Sequence, residues 1–254
     1  MTRIRLNPGS VLGTYSKAAH GLSLNFNTSG GSNCDTGCPH HPDSTAEEAD
    51  RACYAVKLEA RPDRQPLLAK LQRAGAMDPA QLVGKALLEL QALELKDKLP
   101  DWLRLSTDGS VPQPDDVGPL FISQLRALLS WCRSHGVRVH FPVETAAKAK
   151  YYRRAVGDLV IVRESAVSAG RFLRASEPSS AVAGAAGTSY RDRIDAARWL
   201  AKAKRDRGQR AIVCPAVVAG FRSRMKNGRK NDRAKCGPCD ACSRDDIHVV
   251  YPLH

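Results

Sequence analysis

Three thiols in seven residues, Cys236-Gly-Pro-Cys239-Asp-Ala-Cys242, constrain this chain more than any other feature, because the backbone carrying them must turn sharply. A fourth cysteine, Cys214, stands upstream and is followed by Pro215. A two-residue spacer lets successive sulfurs converge from one turn, and three close thiolates plus a remote Cys-Pro is how ferredoxin-type loops wrap a 4Fe-4S cluster. Four cysteines also suit tetrahedral Zn. Zinc ribbons pair their cysteines two and two, so the three-plus-one spacing favours iron-sulfur over zinc. Unligated thiols are the third alternative, and a set this close would oxidise readily.

A second set, Cys34, Cys38 and Cys53, offers only three sulfurs. A cubane needs four iron ligands, which leaves one iron for His40, His41, Cys132, water or a small molecule. An iron with an open position can bind and activate a ligand. Cys132 lies on an apolar helical face, where a free cysteine acts as a small hydrophobe, and it is discounted as a ligand. The opening MTRIRLNPGS lacks the apolar core of an export signal, so a cytoplasmic, reducing setting is expected. There, clustered cysteines point to metal rather than disulfides.

From residue 21 to residue 214, strand and helix patterns alternate. Gly21–Asn27, Trp102–Ser106, Val137–Phe141, Leu159–Val162, Ala181–Ala185 and Ala211–Val213 read as strands. Asp78-Pro79 starts a helix reaching toward Lys98, and Leu120–His135 keeps its apolar residues on one face, with Gly136 as the stop. A short helix spans Ala146–Val156, and Ser189 with Asp192 caps a basic helix that runs to Arg207. This predicts an α/β fold: a partial six-unit (β/α) barrel or an open parallel sheet. Residues 1–214 form the core in this reading. Residues 215–254 form a separate cysteine-rich tail that closes the second metal site with Cys214.

In such folds the loops after the strands gather the chemistry. Cys34 and Cys38 follow the first strand, Thr107, Asp108 and Gly109 the second, Glu144 and Thr145 the third, and Arg163, Glu164 and Ser165 the fourth. Cys214 follows the sixth. Asp108, Gly109, Glu144 and Glu164 are therefore candidate cofactor-binding residues. Taken singly, a charged residue after a strand is common in any α/β protein.

Cys34, Cys38, Cys53-Tyr-Ala55, Leu103-Arg-Leu-Ser-Thr-Asp-Gly109, Cys214-Pro, the cysteine triplet and the ending Val249-Val-Tyr-Pro-Leu-His254 together resemble the phage and plasmid proteins known as gene product eighty-eight. A more distant likeness leads to radical SAM enzymes, which have a partial six-strand β/α barrel with a three-cysteine cluster after the first strand. The resemblance implies two 4Fe-4S clusters. One is an open cluster on Cys34, Cys38 and Cys53 that would hold S-adenosylmethionine, and the other is an auxiliary cluster on Cys214, Cys236, Cys239 and Cys242. Asp108-Gly109 would lie near the methionine amino group. The chain departs from the usual C-x3-C-x2-C pattern, since its second gap is fourteen residues, and its acid and glycine stand in reversed order.

Lys and Arg outnumber Asp and Glu by 39 to 26, a net charge of +13 that favours an anionic partner. Arg222, Arg224, Lys226, Arg229, Lys230, Arg233 and Lys235 crowd the loop before the triplet, and Lys202, Lys204, Arg205, Arg207 and Arg210 precede it. Such density would hold phosphates by charge, without reading sequence. The alternative function is thus a metal-stabilised nucleic-acid-binding protein. The favoured one is an iron-sulfur enzyme, redox or radical-SAM-like, served by an electron donor. No Walker loop, Rossmann glycine pattern or Ser-His-Asp grouping supports a hydrolase, nucleotide-triphosphatase or dehydrogenase. The longest apolar stretch, about Ala211–Phe221, is too short to cross a membrane.

Overall fold

The computed structural model describes residues 4, 6–15, 21–26, 65–106, 110–166, 169–183, 188–215, 217–219 and 241–252. They fall into two compact units, one ending at Val162 and one beginning at Arg163. Both are α/β, and within them every strand pair except the first is parallel.

In the first unit the elements are β1 (Leu12–Tyr15), β2 (Gly21–Leu24), α1 (Gln65–Gly75), α2 (Pro79–Glu94), β3 (Trp102–Leu105), α3 (Pro119–Ser134), β4 (Arg138–Val143) and α4 (Ala146–Val156). The strands lie in the order β1-β2-β3-β4, with Leu22 opposite Leu103 and Leu103 opposite Val139. Asp78 caps α2 by accepting from the amides of Ala80 and Gln81 at 2.9 and 3.0 Å, and Pro79 supplies the first helical residue. The helical period then buries Leu82, Val83, Ala86 and Leu90. On α3 the same period buries Phe121, Leu125, Leu128, Leu129 and Cys132. That helix ends at Gly136, whose φ of 69° is the left-handed conformation glycine adopts without strain. The next amide, Val137, donates back to the Cys132 carbonyl at 2.9 Å, so the chain leaves α3 directly into β4.

The second unit carries β5 (Val162–Ala166), α5 (Ala169–Arg174), β6 (Ser179–Ala183), α6 (Tyr190–Arg205), β7 (Ala211–Val213) and β8 (His248–Pro252), with strand order β5-β6-β8-β7. Ser189 and Asp192 form a reciprocal capping box at the start of α6. Ser189→Ala removes an acceptor from the first turn and is expected to lower stability by about 1 kcal/mol, read as a smaller urea midpoint. An unchanged midpoint would show that water replaces the cap.

Two expectations from sequence are corrected here. The apolar run Leu159–Val162 is not the fourth parallel strand. Gly157 turns at φ 60°, a single 3-10 turn takes up Gly157–Leu159, and β5 starts only at Val162. Arg163, Glu164 and Ser165 consequently lie in the strand and not in a loop after it. The described residues 241–252 are not a separate tail either. β8 is drawn from them and sits between β6 and β7, pairing Val182 with Tyr251 and Ile212 with Val249. The apolar signal of Ile247-His-Val-Val250 is short, and only its parallel neighbours make it a strand. Among the described residues no helix is long and apolar enough to cross a membrane.

Candidate metal centre

Cys214 follows β7 at its carboxyl end. Its amide still donates to Val250 of β8 at 2.8 Å, and its carbonyl accepts from Val218 at 3.2 Å, so the residue joins a strand to a helical turn. The side chain is 6% exposed. It belongs to one apolar cluster with Ala241, Ile247 and Val249, against which Cys242, Ile212, Val217 and Tyr251 pack. Two of the four cysteines expected to share a metal are thus brought together by folding, although the basic loop separates them in sequence. The Cys242 sulfur lies 3.0 Å from the Tyr251 hydroxyl.

Arg163 positions Cys242. Its side chain is 0% exposed, and its five N–H groups meet five backbone carbonyls. Nη1 donates to Ile247 at 2.7 Å and Ser179 at 3.2 Å, Nη2 to Arg244 at 2.8 Å and Ala241 at 3.0 Å, and Nε to Cys242 at 3.4 Å. Four of the five carbonyls come from the segment 241–247 that leads from the cysteine run into β8. Carbonyl dipoles stand in for water around the charge, and in return the guanidinium holds the segment in one shape. Sequence reasoning placed Arg163 at the mouth of the sheet; the structure instead buries it under the turn that carries Cys242.

The donor set suits a soft metal. Cys214, buried, and Cys242, half-buried, are two sulfur donors beside the apolar side chains of Ile247 and Val249, and thiolates are the ligands that iron-sulfur clusters and zinc take. Among the described residues no three His, Cys, Asp or Glu side chains gather. Cys34, Cys38, Cys53, Cys236, Cys239, Asp108 and Gly109 lie outside the described residues, as do Arg222, Arg224, Lys226, Arg229 and Lys230. Cys132 is wholly buried in the first core, and burial pushes its thiol up to about 12, which makes it an inert packing group.

The other candidate residues are engaged in ion pairs. Glu144, after β4, pairs with Lys148 at 3.2 Å, and the Lys148 ammonium also donates to Ser110 Oγ at 2.7 Å. Lys148 is 1% exposed, and the Ser110 hydroxyl donates a hydrogen bond to the Val111 carbonyl at 3.1 Å. A serine beside a lysine suggests a nucleophile and its base, but here the lysine donates to the serine and is also paired with a carboxylate. The arrangement ties the loop after β3 to α4. Glu164 sits on β5 with Arg171 Nε 2.6 Å away, so its carboxylate is neutralised within the second unit.

Ser106 had no signal in the sequence. It ends β3 with φ 56°, a left-handed conformation that a residue with a Cβ adopts at some strain, and its amide donates to Leu24 at 2.7 Å. Its buried hydroxyl has no hydrogen-bond partner among the described residues. The strain lies immediately before Thr107-Asp108-Gly109, where the sequence places cofactor-binding residues.

Not all the basic residues in and just after α6 are available to a phosphate backbone. Lys204 is buried and donates to the carbonyls of Phe172 and Ala175, Arg205 donates to Ala211, Arg207 to Leu173, and Lys202 pairs with Asp206. Lys204 is a core residue that closes the carboxyl end of α5, a role that composition alone could not separate from surface charge. Comparisons of the chain with protein-family models, with curated proteins and with solved structures find no match in any of the three.

Proposed function

We propose that the chain is an iron-sulfur protein of the phage and plasmid type, with an auxiliary 4Fe-4S cluster on Cys214, Cys236, Cys239 and Cys242 and an open cluster on Cys34, Cys38 and Cys53. The observation that supports it is that buried Cys214 and half-buried Cys242 meet at one apolar cluster. When bound, such clusters supply one-electron chemistry. The chain's own part is to carry one sulfur at the end of β7, to hold the other on the Arg163-bound turn, and to pack Ile247 and Val249 against Cys214. On this reading the protein is a redox or radical-SAM-like enzyme, and the partial barrel that the resemblance implies is part of the proposal. S-adenosylmethionine is the small molecule expected at the open iron.

Anaerobic purification followed by iron and sulfide analysis tests the reading. About eight iron and eight sulfide per chain are expected for two cubanes. Cys214→Ser and Cys242→Ser should each lower both counts by about half, and Cys132→Ser should leave them unchanged. A colourless wild type with stoichiometric zinc would overturn the proposal. Adding S-adenosylmethionine to the dithionite-reduced protein tests the open site, because ligation at a vacant iron alters the spin-resonance signal.

A further inference from the structure

We infer that the solvent face of α6 binds single-stranded nucleic acid, with the Trp199 indole stacking on an unpaired base and Arg191, Arg198 and Lys202 holding phosphates. The chain has three tryptophans, and the ring faces of two are occupied. Arg138 lies 4.2 Å from the Trp102 ring centroid, and His135 stacks on Trp131 at 4.2 Å and 21°. Trp199 is 63% exposed, and among the described residues no aromatic ring or cation lies on it. The cause is local. On a helix the neighbours that could cover a ring stand three and four residues away, and for Trp199 two of those four are Ala196 and Ala203. An indole left bare offers its π face to a flat partner.

The cations beside the ring identify that partner. Arg191, Arg198 and Lys202 are seven and four residues apart, which sets them in one exposed row about 16 Å long, and Trp199 borders that row. Arg191 has no ion-pair or hydrogen-bond partner among the described residues. Arg198 pairs with Asp195 at 3.1 Å and Lys202 with Asp206 at 2.7 Å, but all four side chains are more than half exposed. Exposed pairs are held so weakly that a phosphate can take the cation. Residues 190–207 carry seven Lys and Arg against three Asp, so the field over this face attracts an anion. A base flanked by phosphates matches an aromatic platform bordered by cations. In a duplex the bases stack on one another, so an exposed ring selects a single strand. A membrane surface fits less well. The apolar residues of α6, Ile194, Ala197, Leu200 and Ala201, are buried, which leaves a single exposed ring to enter a bilayer. Nothing in this inference depends on a metal.

The test is binding of the full chain to a short fluorescein-labelled oligothymidylate, followed by anisotropy over a range of salt concentrations. Trp199→Ala is expected to weaken binding about 5- to 100-fold, the loss of one stacked base, and to leave the salt dependence unchanged. Arg191→Ala should instead lower the slope of log K against log salt by about 0.7. A duplex of the same length should bind the wild type and Trp199→Ala alike, which separates stacking from attraction by charge elsewhere in the chain. Equal affinity of Trp199→Ala and wild type for the oligothymidylate overturns the inference, and so does a wild type that binds none at low salt. If the alanine variant does not fold, the wild type decides alone: unlabelled oligothymidylate should shield its tryptophan emission from acrylamide, and unchanged quenching overturns the inference. Phosphatidylserine vesicles that shift this emission to the blue while the oligothymidylate leaves it unchanged would assign the face to a membrane. A dimer that Trp199→Ala converts to monomer in sedimentation would assign it to a second copy of the chain. Either result overturns the inference.

Discussion

Arg163→Met is expected to lower the stability of the second unit by about 4 kcal/mol or more, enough to leave it unfolded at room temperature or close to it. The arginine satisfies the carbonyls of Ser179, Ala241, Cys242, Arg244 and Ile247 at once, and methionine can satisfy none of them. An orphaned buried carbonyl costs about 1–3 kcal/mol, and relaxation of the turn recovers part of the total. Methionine fills much of the same volume, so the loss cannot be assigned to a cavity. Arg163→Lys should be intermediate, because an ammonium offers three donors where the guanidinium offers five in a fixed fork. Hydrogen exchange read by mass spectrometry checks this: peptides covering β6 and β8 should lose protection in the methionine variant. Wild-type protection there, with an unchanged urea midpoint, would mean that the guanidinium network contributes nothing net. Iron analysis of the lysine variant adds a second readout, since a loosened turn should bind metal less tightly even where the fold survives.

The parts of this fold that were legible in the sequence are those whose signals are local. Asp78-Pro79, the Ser189 and Asp192 pair and Gly136 each mark a helix end by chemistry within a few residues, and each stands where that chemistry predicts. The apolar face of α3 is equally local, because a 3.6-residue period can be counted without knowing what it packs against. What could not be read depends on distant partners. β8 becomes a strand by lying between β6 and β7, and nothing in Val249-Val-Tyr251 says that the chain returns there. Lys204 and Arg163 look like ordinary surface cations until five carbonyls are seen around one and the end of α5 around the other. Cys214 and Cys242 fall between these cases. Their spacing predicted that they would lie close, and they meet at one apolar cluster, while the means of bringing them there, a buried arginine and a strand inserted between two others, was invisible.

The same unit is expected to weaken in mild acid, and the group responsible is His248. Its imidazole is 5% exposed, accepts or donates at 2.8 Å to Ser179 Oγ, and meets the Phe172 ring edge-on with centroids 5.7 Å apart. Burial first, then the positive charges of Lys204 on α6 and Arg163 on β5, lower its pKa from 6.5 to about 4. In the unfolded chain the same imidazole takes up a proton near pH 6.5, whereas the folded protein resists until about pH 4. Between those values the unfolded state binds more protons, so stability falls as pH falls. The full contribution is present above pH 6.5 and is lost progressively toward pH 4, with a total of about 3 kcal/mol. His248→Gln keeps a hydrogen-bonding group beside Ser179 but cannot titrate. Urea unfolding of both proteins at pH 7 and pH 4.5 separates this contribution from that of the carboxylates, which the two share. The wild type should lose about 2–3 kcal/mol more than the variant between the two pH values, read as a much larger drop of its midpoint. Parallel losses in the two proteins would show that the imidazole is already protonated in the folded state, and that Lys204 and Arg163 do not repel it as their positions require.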